Sequence, residues 1–224
     1  SRAASALCAL EMFVHDVTKA YTGRIDRFIA PSRFVAGKLL ERGLPSEQVA
    51  VIPNFVDPER WTPGEDGDGG YVLFSGSLSH EKGVETLVRA MAGLPKIPLK
   101  IVGAGMLETN ARQLARELGA INIEFTGFKP EKEVRRLMRE SRFICTPSEW
   151  YENAPMSVLE AFACGKPAVA SRIGGIPEMV REGETGLLAE AGDAGDLRDT
   201  ISRLWEQPEL VREMGGKARP LVET

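Results

Sequence analysis

The stretch Thr146–Ser171, TPSEWYENAPMSVLEAFACGKPAVAS, reads as strand end, polar loop, helix, turn and strand. Its flanking apolar runs, Phe143 to Cys145 and Ala168 to Ala170, are too short and too apolar to face water. Such runs predict strands of a parallel sheet covered by helices on both faces. Pro155 fits the first helical position, where its missing N–H costs nothing. That leaves the amides of Met156 and Ser157 free at the start of a helix running to Cys164.

Outward from this unit the same alternation repeats. Strands are predicted near Tyr71 to Phe74, Leu99 to Val102 and Ile121 to Phe125. Helices are predicted over Gly83 to Met91, Met106 to Leu118, Glu131 to Arg139 and Ile176 to Val180, with Leu197 to Trp205 closing the chain. Repeated βα units of this kind specify an α/β, Rossmann-like parallel sheet. Upstream, Leu10, Phe13, Val14, Val17 and Tyr21 recur at helical spacing. A short strand follows from about Ile25 to Ala30, then a helix from Ser32 as N-cap to Gly43, then a strand from Val49 to Ile52. The stretch from Pro58 to Gly70, with two prolines and four glycines, reads as a linker. The resulting division is 1–50, a hinge or linker at 51–70, and a Rossmann-like domain over 71–224.

Composition narrows the function. The 224 residues are 43% hydrophobic and 27% charged, enough for a sizeable core. The 28 basic residues are outnumbered by 32 acidic ones, so bulk charge does not favour nucleic acid as a partner. Three cysteines without metal-ligand spacing fit a reducing cytoplasm better than a disulfide framework. No apolar run reaches the length of a membrane span. The opening at Ser1, without an initiator Met, is read as a start in mid-protein.

In parallel α/β sheets ligands sit at the carboxyl ends of strands, so the loops there carry the chemistry. Ser75 to Gly83 is a polar, glycine-bearing turn into a helix. Gly76 permits close backbone approach and Lys82 adds a mobile positive charge, an arrangement that suits an anion and equally a plain βα loop with an exposed lysine. Gly103-Ala104-Gly105 begins like a dinucleotide fingerprint but carries Glu108 where the third glycine belongs, which leaves a tight turn as the better reading. Glu152, in the loop, and Glu160, in the helix, read either as a pair reaching one cavity to accept hydrogen bonds from vicinal hydroxyls, or as a solvated loop carboxylate and a first-turn carboxylate favoured by the helix dipole. Trp150 and Tyr151 serve equally well as a sugar-pocket wall or as a cover over the sheet end.

Taken in order, these motifs resemble the carboxyl-terminal half of a GT-B glycosyltransferase of retaining family 4, also called group 1. Pro53-Asn54-Phe55-Val56-Asp57 is similar to the family's hinge motif, and Gly76 to Gly83 to its phosphate loop. Glu152 to Glu160 is similar to its glutamate-x7-glutamate motif, and Gly174 to Glu178 to the turn beyond. Thr185-Gly186-Leu187-Leu188 followed by Gly192-Asp193 is similar to its late motif. The resemblance implies that a nucleoside diphosphate sugar binds here; a UDP-sugar is expected in preference to a GDP-sugar, an expectation that no residue carries. Lys82 would contact the diphosphate, Glu160 the ribose and Glu152 the donor sugar, with Lys82 and Glu152 the catalytic pair. Gly76, Ser77, Asn153, Met156 and Ser157 would hold sugar or phosphate, and Gly127 and Phe128 would lie near the base. The implied reaction is transfer to an acceptor hydroxyl with retention, in the cytoplasm and without a metal or other cofactor. Polysaccharide or glycolipid biosynthesis is its setting.

Two departures stand out. Ser77 occupies a position where many relatives place an arginine, so one diphosphate charge is missing and Arg172 is the candidate substitute. Pro155 stands where many have glycine, removing a backbone donor. By the same resemblance residues 1–50 are a remnant of an acceptor domain, and the chain alone is expected to bind donor with little or no turnover. A non-catalytic nucleotide-sugar-binding module and a nucleotide-sugar epimerase are the alternatives. The resemblance also leaves room for peripheral membrane association of the full-length protein and for homo-oligomers formed through unpartnered apolar faces.

Overall fold

The computed structural model describes residues 2–18, 22–64 and 70–223. Tyr21 and the acidic linker positions Glu65, Asp66 and Asp68 lie outside the described residues. The chain divides into two compact units, Ser1–Pro53 and Asn54–Thr224.

In the first unit, α1 (Arg2–Val17) precedes β1 (Phe28–Ala30), α2 (Arg33–Glu41) and β2 (Val49–Val51). Ser32 caps α2, its side chain accepting from the Val35 amide at 3.3 Å, as its place before an apolar run predicts. The two strands pair in parallel, Phe28 opposite Val49. The apolar side chains Leu10, Phe13, Val14 and Val17 of α1 are exposed.

The second unit opens with β3 (Val72–Ser75), α3 (Val84–Ala92), β4 (Leu99–Val102), α4 (Glu108–Glu117), β5 (Ile123–Gly127), α5 (Glu131–Glu140) and β6 (Phe143–Thr146). It continues with α6 (Met156–Ala163), β7 (Ala168–Ser171), α7 (Ile176–Met179), β8 (Gly186–Ala189), α8 (Ala194–Trp205) and α9 (Pro208–Ala218). The six strands form one parallel sheet in the order β5-β4-β3-β6-β7-β8. Period-two alternation splits the core between its faces. Val72 and Phe74 join Leu87, Met91, Ile201 and Leu204 on one side. Leu73 joins Leu137, Met138, Val158 and Phe162 on the other.

Three expectations are corrected. The Thr185–Leu188 motif contains a sixth strand, β8, buried along its length. A Cβ at Gly186 would stand 2.0 Å from the Ala168 carbonyl oxygen, so only glycine lets this strand close on β7. The chain does not close at Trp205. Pro208, which ends one helix in a sequence reading, is also a favourable first residue for the next, and α9 buries Val211, Met214 and Ala218. The β5 strand begins at Ile123; Ile121 is 91% exposed, because the chain still turns there after α4.

The described part of the predicted linker is held in place. Trp61 is buried, and Arg139 Nε and Nη2 donate to Thr62 O (2.8 Å) and Thr62 Oγ1 (2.6 Å). Arg219, just past α9, donates to the carbonyls of Trp61 (2.6 Å), Pro58 (3.1 Å) and Ala163. No helix among the described residues is long and apolar enough to cross a membrane.

Candidate functional site

In this strand order the connections leaving β3 and β6, which are neighbours in the sheet, run to opposite sides. A crevice therefore opens at their carboxyl ends, the topological switch point where parallel α/β sheets bind ligands. The loop after β3 enters a short 3-10 turn, His80–Lys82, so α3 starts one residue later than predicted, at Val84. Gly83 sits between them at φ +65°, and a Cβ there would stand 1.9 Å from the Pro147 carbonyl oxygen. The two loops are therefore pressed backbone against backbone.

Several bonds shape the second loop. The Glu149 amide donates to Glu81 O (3.0 Å), the Gly175 amide to Glu152 O (2.7 Å), and Asn54 Nδ2 to Ala154 O (3.0 Å). Gly174, at φ +60°, lies against the Glu152 backbone, where a Cβ would come within 2.5 Å of its oxygen. Glu152 is thus presented toward the first loop, where Lys82 Nζ meets its Oε1 at 2.5 Å and the buried Ser148 hydroxyl donates to the same oxygen at 2.9 Å. Lys82, read from the sequence as a mobile charge, is held in an ion pair that bridges the two loops across 70 positions of sequence.

Pro155 takes the N-cap position of α6, one residue before the position predicted for it. The Val158 amide turns back to Pro155 O (3.1 Å), while those of Met156 and Ser157 have no backbone acceptor among the described residues. Unspent amides at a helix start favour an anion. One turn further, the partly buried Glu160 carboxyl is pushed up to about 7, first by burial and second by the Glu131 carboxylate. Glu152 and Glu160 have different surroundings. The first is bound to the Lys82 loop, and the second senses the start of α5.

A cavity of about 330 Å³ lies between the loops after β3, β4 and β5, lined by Gly76, Ser77, Gly103, Ala104, Phe128 and Lys129 among others. It brings together Gly76, Ser77 and Phe128, and Phe128 is 77% exposed. Gly127, the last residue of β5, accepts from the Gly103 amide at 3.0 Å. The Gly103-Ala104-Gly105 turn ties the β4 loop to the β3 loop, because Ala104 O accepts from the Leu78 amide (3.0 Å) and Leu78 O accepts from Leu107 (2.9 Å). Lys129 was not singled out by sequence reasoning; its only signal is its place immediately after Gly127-Phe128. Asn153 is exposed in the Glu152 loop.

A second cavity, about 440 Å³, is lined by His80, Glu81, Glu149 and the exposed Trp150, which packs tilted on Tyr151 with ring centroids 6.2 Å apart. Another, about 480 Å³, lies toward the amino-terminal end of β5 around Arg112, Arg116 and Ile121, away from the strand ends that form the crevice. Arg172 does not serve the cavity beside Ser77. Its guanidinium is engaged by Glu182 and Glu190, each at 3.3 Å. Among the described residues no three His, Cys, Asp or Glu side chains are grouped to hold a metal ion.

Comparison with known proteins follows the same outline. The family model described as glycosyl transferases group 1 matches residues 56–220, and that for glycosyltransferase family 4 matches residues 5–60. An uncharacterized glycosyltransferase of Methanocaldococcus jannaschii is 32% identical over 197 residues, covering 88% of this chain and 54% of that protein. A D-inositol 3-phosphate glycosyltransferase of Corynebacterium jeikeium is 33% identical over 192 residues, covering 75% and 46%. The chain spans about half the length of these curated relatives. Among solved structures, Anabaena HepE in complex with UDP and glucose superposes with a TM-score of 0.81 at 23% identity, covering 88% of this chain and 58% of that one. Sucrose-phosphate synthase of Thermosynechococcus elongatus gives 0.80 at 27%, covering 90% and 55%. The parallel sheet and its loops are therefore those of a GT-B glycosyltransferase, and the chain belongs to the glycosyl transferases of group 1.

Proposed function

We propose that the switch-point crevice binds a nucleoside diphosphate sugar, and that the whole protein transfers the sugar to an acceptor hydroxyl with retention. The observation carrying this reading is the Lys82–Glu152 ion pair, which joins the two loops that diverge at the crevice. In the free protein Glu152 holds Lys82 in place. When a diphosphate enters, the ammonium shares its charge with the phosphates, and the Glu152 carboxylate becomes available to sugar hydroxyls. The unspent amides of Met156 and Ser157 face the same anion from the start of α6. Phe128 borders the base, and Glu160 accepts from the ribose.

Catalysis in this scheme is electrostatic. Lys82 and the α6 amides stabilise charge developing on the leaving diphosphate, and Glu152 fixes the orientation of the sugar ring. The acceptor would be engaged by parts of a longer protein, working on the cytoplasmic side of a biosynthetic pathway. No metal is invoked, since the lysine and the helix amides supply the positive potential.

The test is a thermal-shift titration of this chain with UDP, GDP, ADP and their sugars, alongside Lys82→Ala and Glu160→Ala. Saturation at a hundred times Kd stabilises the native state by about 2.7 kcal/mol. A base-selective rise in Tm, lost in both variants, is expected. Absence of a shift with every nucleotide overturns the reading.

A further inference from the structure

A diphosphate brings at least two negative charges into the crevice, and the loop after β3 offers few to answer them. Ser77 contributes a hydroxyl, whose oxygen lies 3.4 Å from that of Ser79. Lys82 is shared with Glu152, and Arg172 is drawn off by Glu182 and Glu190. One basic side chain on the cavity wall is otherwise uncommitted. Lys129 lines the same 330 Å³ space as Gly76 and Ser77, is partly buried there, and has no carboxylate partner among the described residues.

The surrounding acids are occupied. Glu131, two residues on, is bound by Arg60 at 2.8 Å and approached by Arg135 at 3.5 Å, and Glu133 is paired with Arg136 at 3.2 Å. Pro130 restricts the Lys129 backbone to extended conformations, which narrows the directions its stem can take from the end of β5. The amides of Ser77 and Ala104, on the same wall, have no backbone acceptor among the described residues. A partly buried ammonium beside unspent N–H donors is unfavourable until an anion arrives.

We infer that Lys129 supplies the second cationic contact to the phosphates of the bound nucleotide, reaching from the β5 side of the cavity into the space that Ser77 leaves uncharged. This rests on the donor-site reading above and adds to it a residue, a charge and a direction of approach. A lysine here acts as a point charge on a flexible stem, so its contribution depends on phosphate and not on base.

The experiment is calorimetric titration of the chain with UDP and, as the uncharged control, uridine. The proteins are wild type, Lys129→Met, Lys129→Arg and the double variant Ser77→Arg/Lys129→Met, each checked by its melting curve. Lys129→Met is expected to weaken UDP about tenfold or more while leaving uridine within twofold. Lys129→Arg retains most of the UDP affinity, and Ser77→Arg restores it in the double variant. Unchanged UDP affinity in Lys129→Met, or an equal loss for UDP and uridine, overturns the assignment of Lys129 alone. Failure of the wild type to bind UDP overturns both this inference and the uridine preference of the donor site.

Discussion

Replacing Glu160 by Gln tests whether its carboxyl is a buried acid awaiting a hydroxyl-bearing ligand. Burial raises this group from an ordinary 4.5 to about 7, with the Glu131 carboxylate adding to the effect. Between those values the folded state binds a proton that the unfolded chain has released, so stability falls as pH climbs from about 4.5 through 7. The rise is worth about 3 kcal/mol if the group were fully enclosed. Residual solvent contact reduces the measurable part to about 1–2 kcal/mol. Glu160→Gln keeps the shape and removes the charge. Urea denaturation of both proteins at about pH 5 and about pH 8.5 isolates the difference, since all other titrations cancel. The variant should match wild type at the lower pH and exceed it by about 1–2 kcal/mol at the higher. Nucleotide binding at about pH 6 should then release more protons from the wild type than from the variant, because ribose hydroxyls favour the ionised acceptor. That release reads out as a buffer-dependent binding enthalpy. A wild-type-to-variant difference that is the same at both pH values refutes the reasoning.

Two further outcomes follow from the packing. Asn122→Ala removes an amide whose Nδ2 donates to the carbonyls of Met91 (3.0 Å), Leu94 (2.9 Å) and Ile97 (2.8 Å). Met91 O and Leu94 O keep the Leu94 (3.0 Å) and Ile97 (2.9 Å) amides as donors, so denaturation should show a loss of about 1–2 kcal/mol, and a loss below about 0.5 would count against the bonds. Gly83→Ala combines a left-handed backbone with a Cβ 1.9 Å from Pro147 O. It should depress Tm by several degrees and, by prising the two loops apart, abolish nucleotide-induced stabilisation; an unaltered melting curve would exclude this contact.

The sheet was legible because its strands carry unbroken apolar runs. Leu99–Val102 is read to the residue, and Phe143–Thr146 and Ala168–Ser171 to within one. The β8 strand was read only as a motif, since Gly186–Ala189 is four residues long and opens on a glycine. Its place comes from pairing with β7, which no local pattern announces. Helix α9 was hidden by the ambiguity of Pro208, a stop signal and a start signal at once. Gly76, Lys82, Glu152 and Glu160 were nameable as candidates because they fall in the loops after β3 and β6 or in the helix that the second loop enters. Lys129 was not, because an isolated lysine after a strand looks like any solvated charge.

Local chemistry determined most of the strands and helices, β8 and α9 apart, with their alternation and which loops hold polar groups, since periodicity, caps and turn residues act over a few neighbours. Tertiary structure decided which loops meet. Parallel pairing of β3 with β6 brings Lys82 to Glu152 from 70 positions away, while Arg172 is diverted to Glu182 and Glu190. The same sheet order sets Lys129 across a cavity from Ser77. Charge is a property of the residue, but whether that charge is free or taken depends on distances that exist only once the strands are hydrogen-bonded side by side.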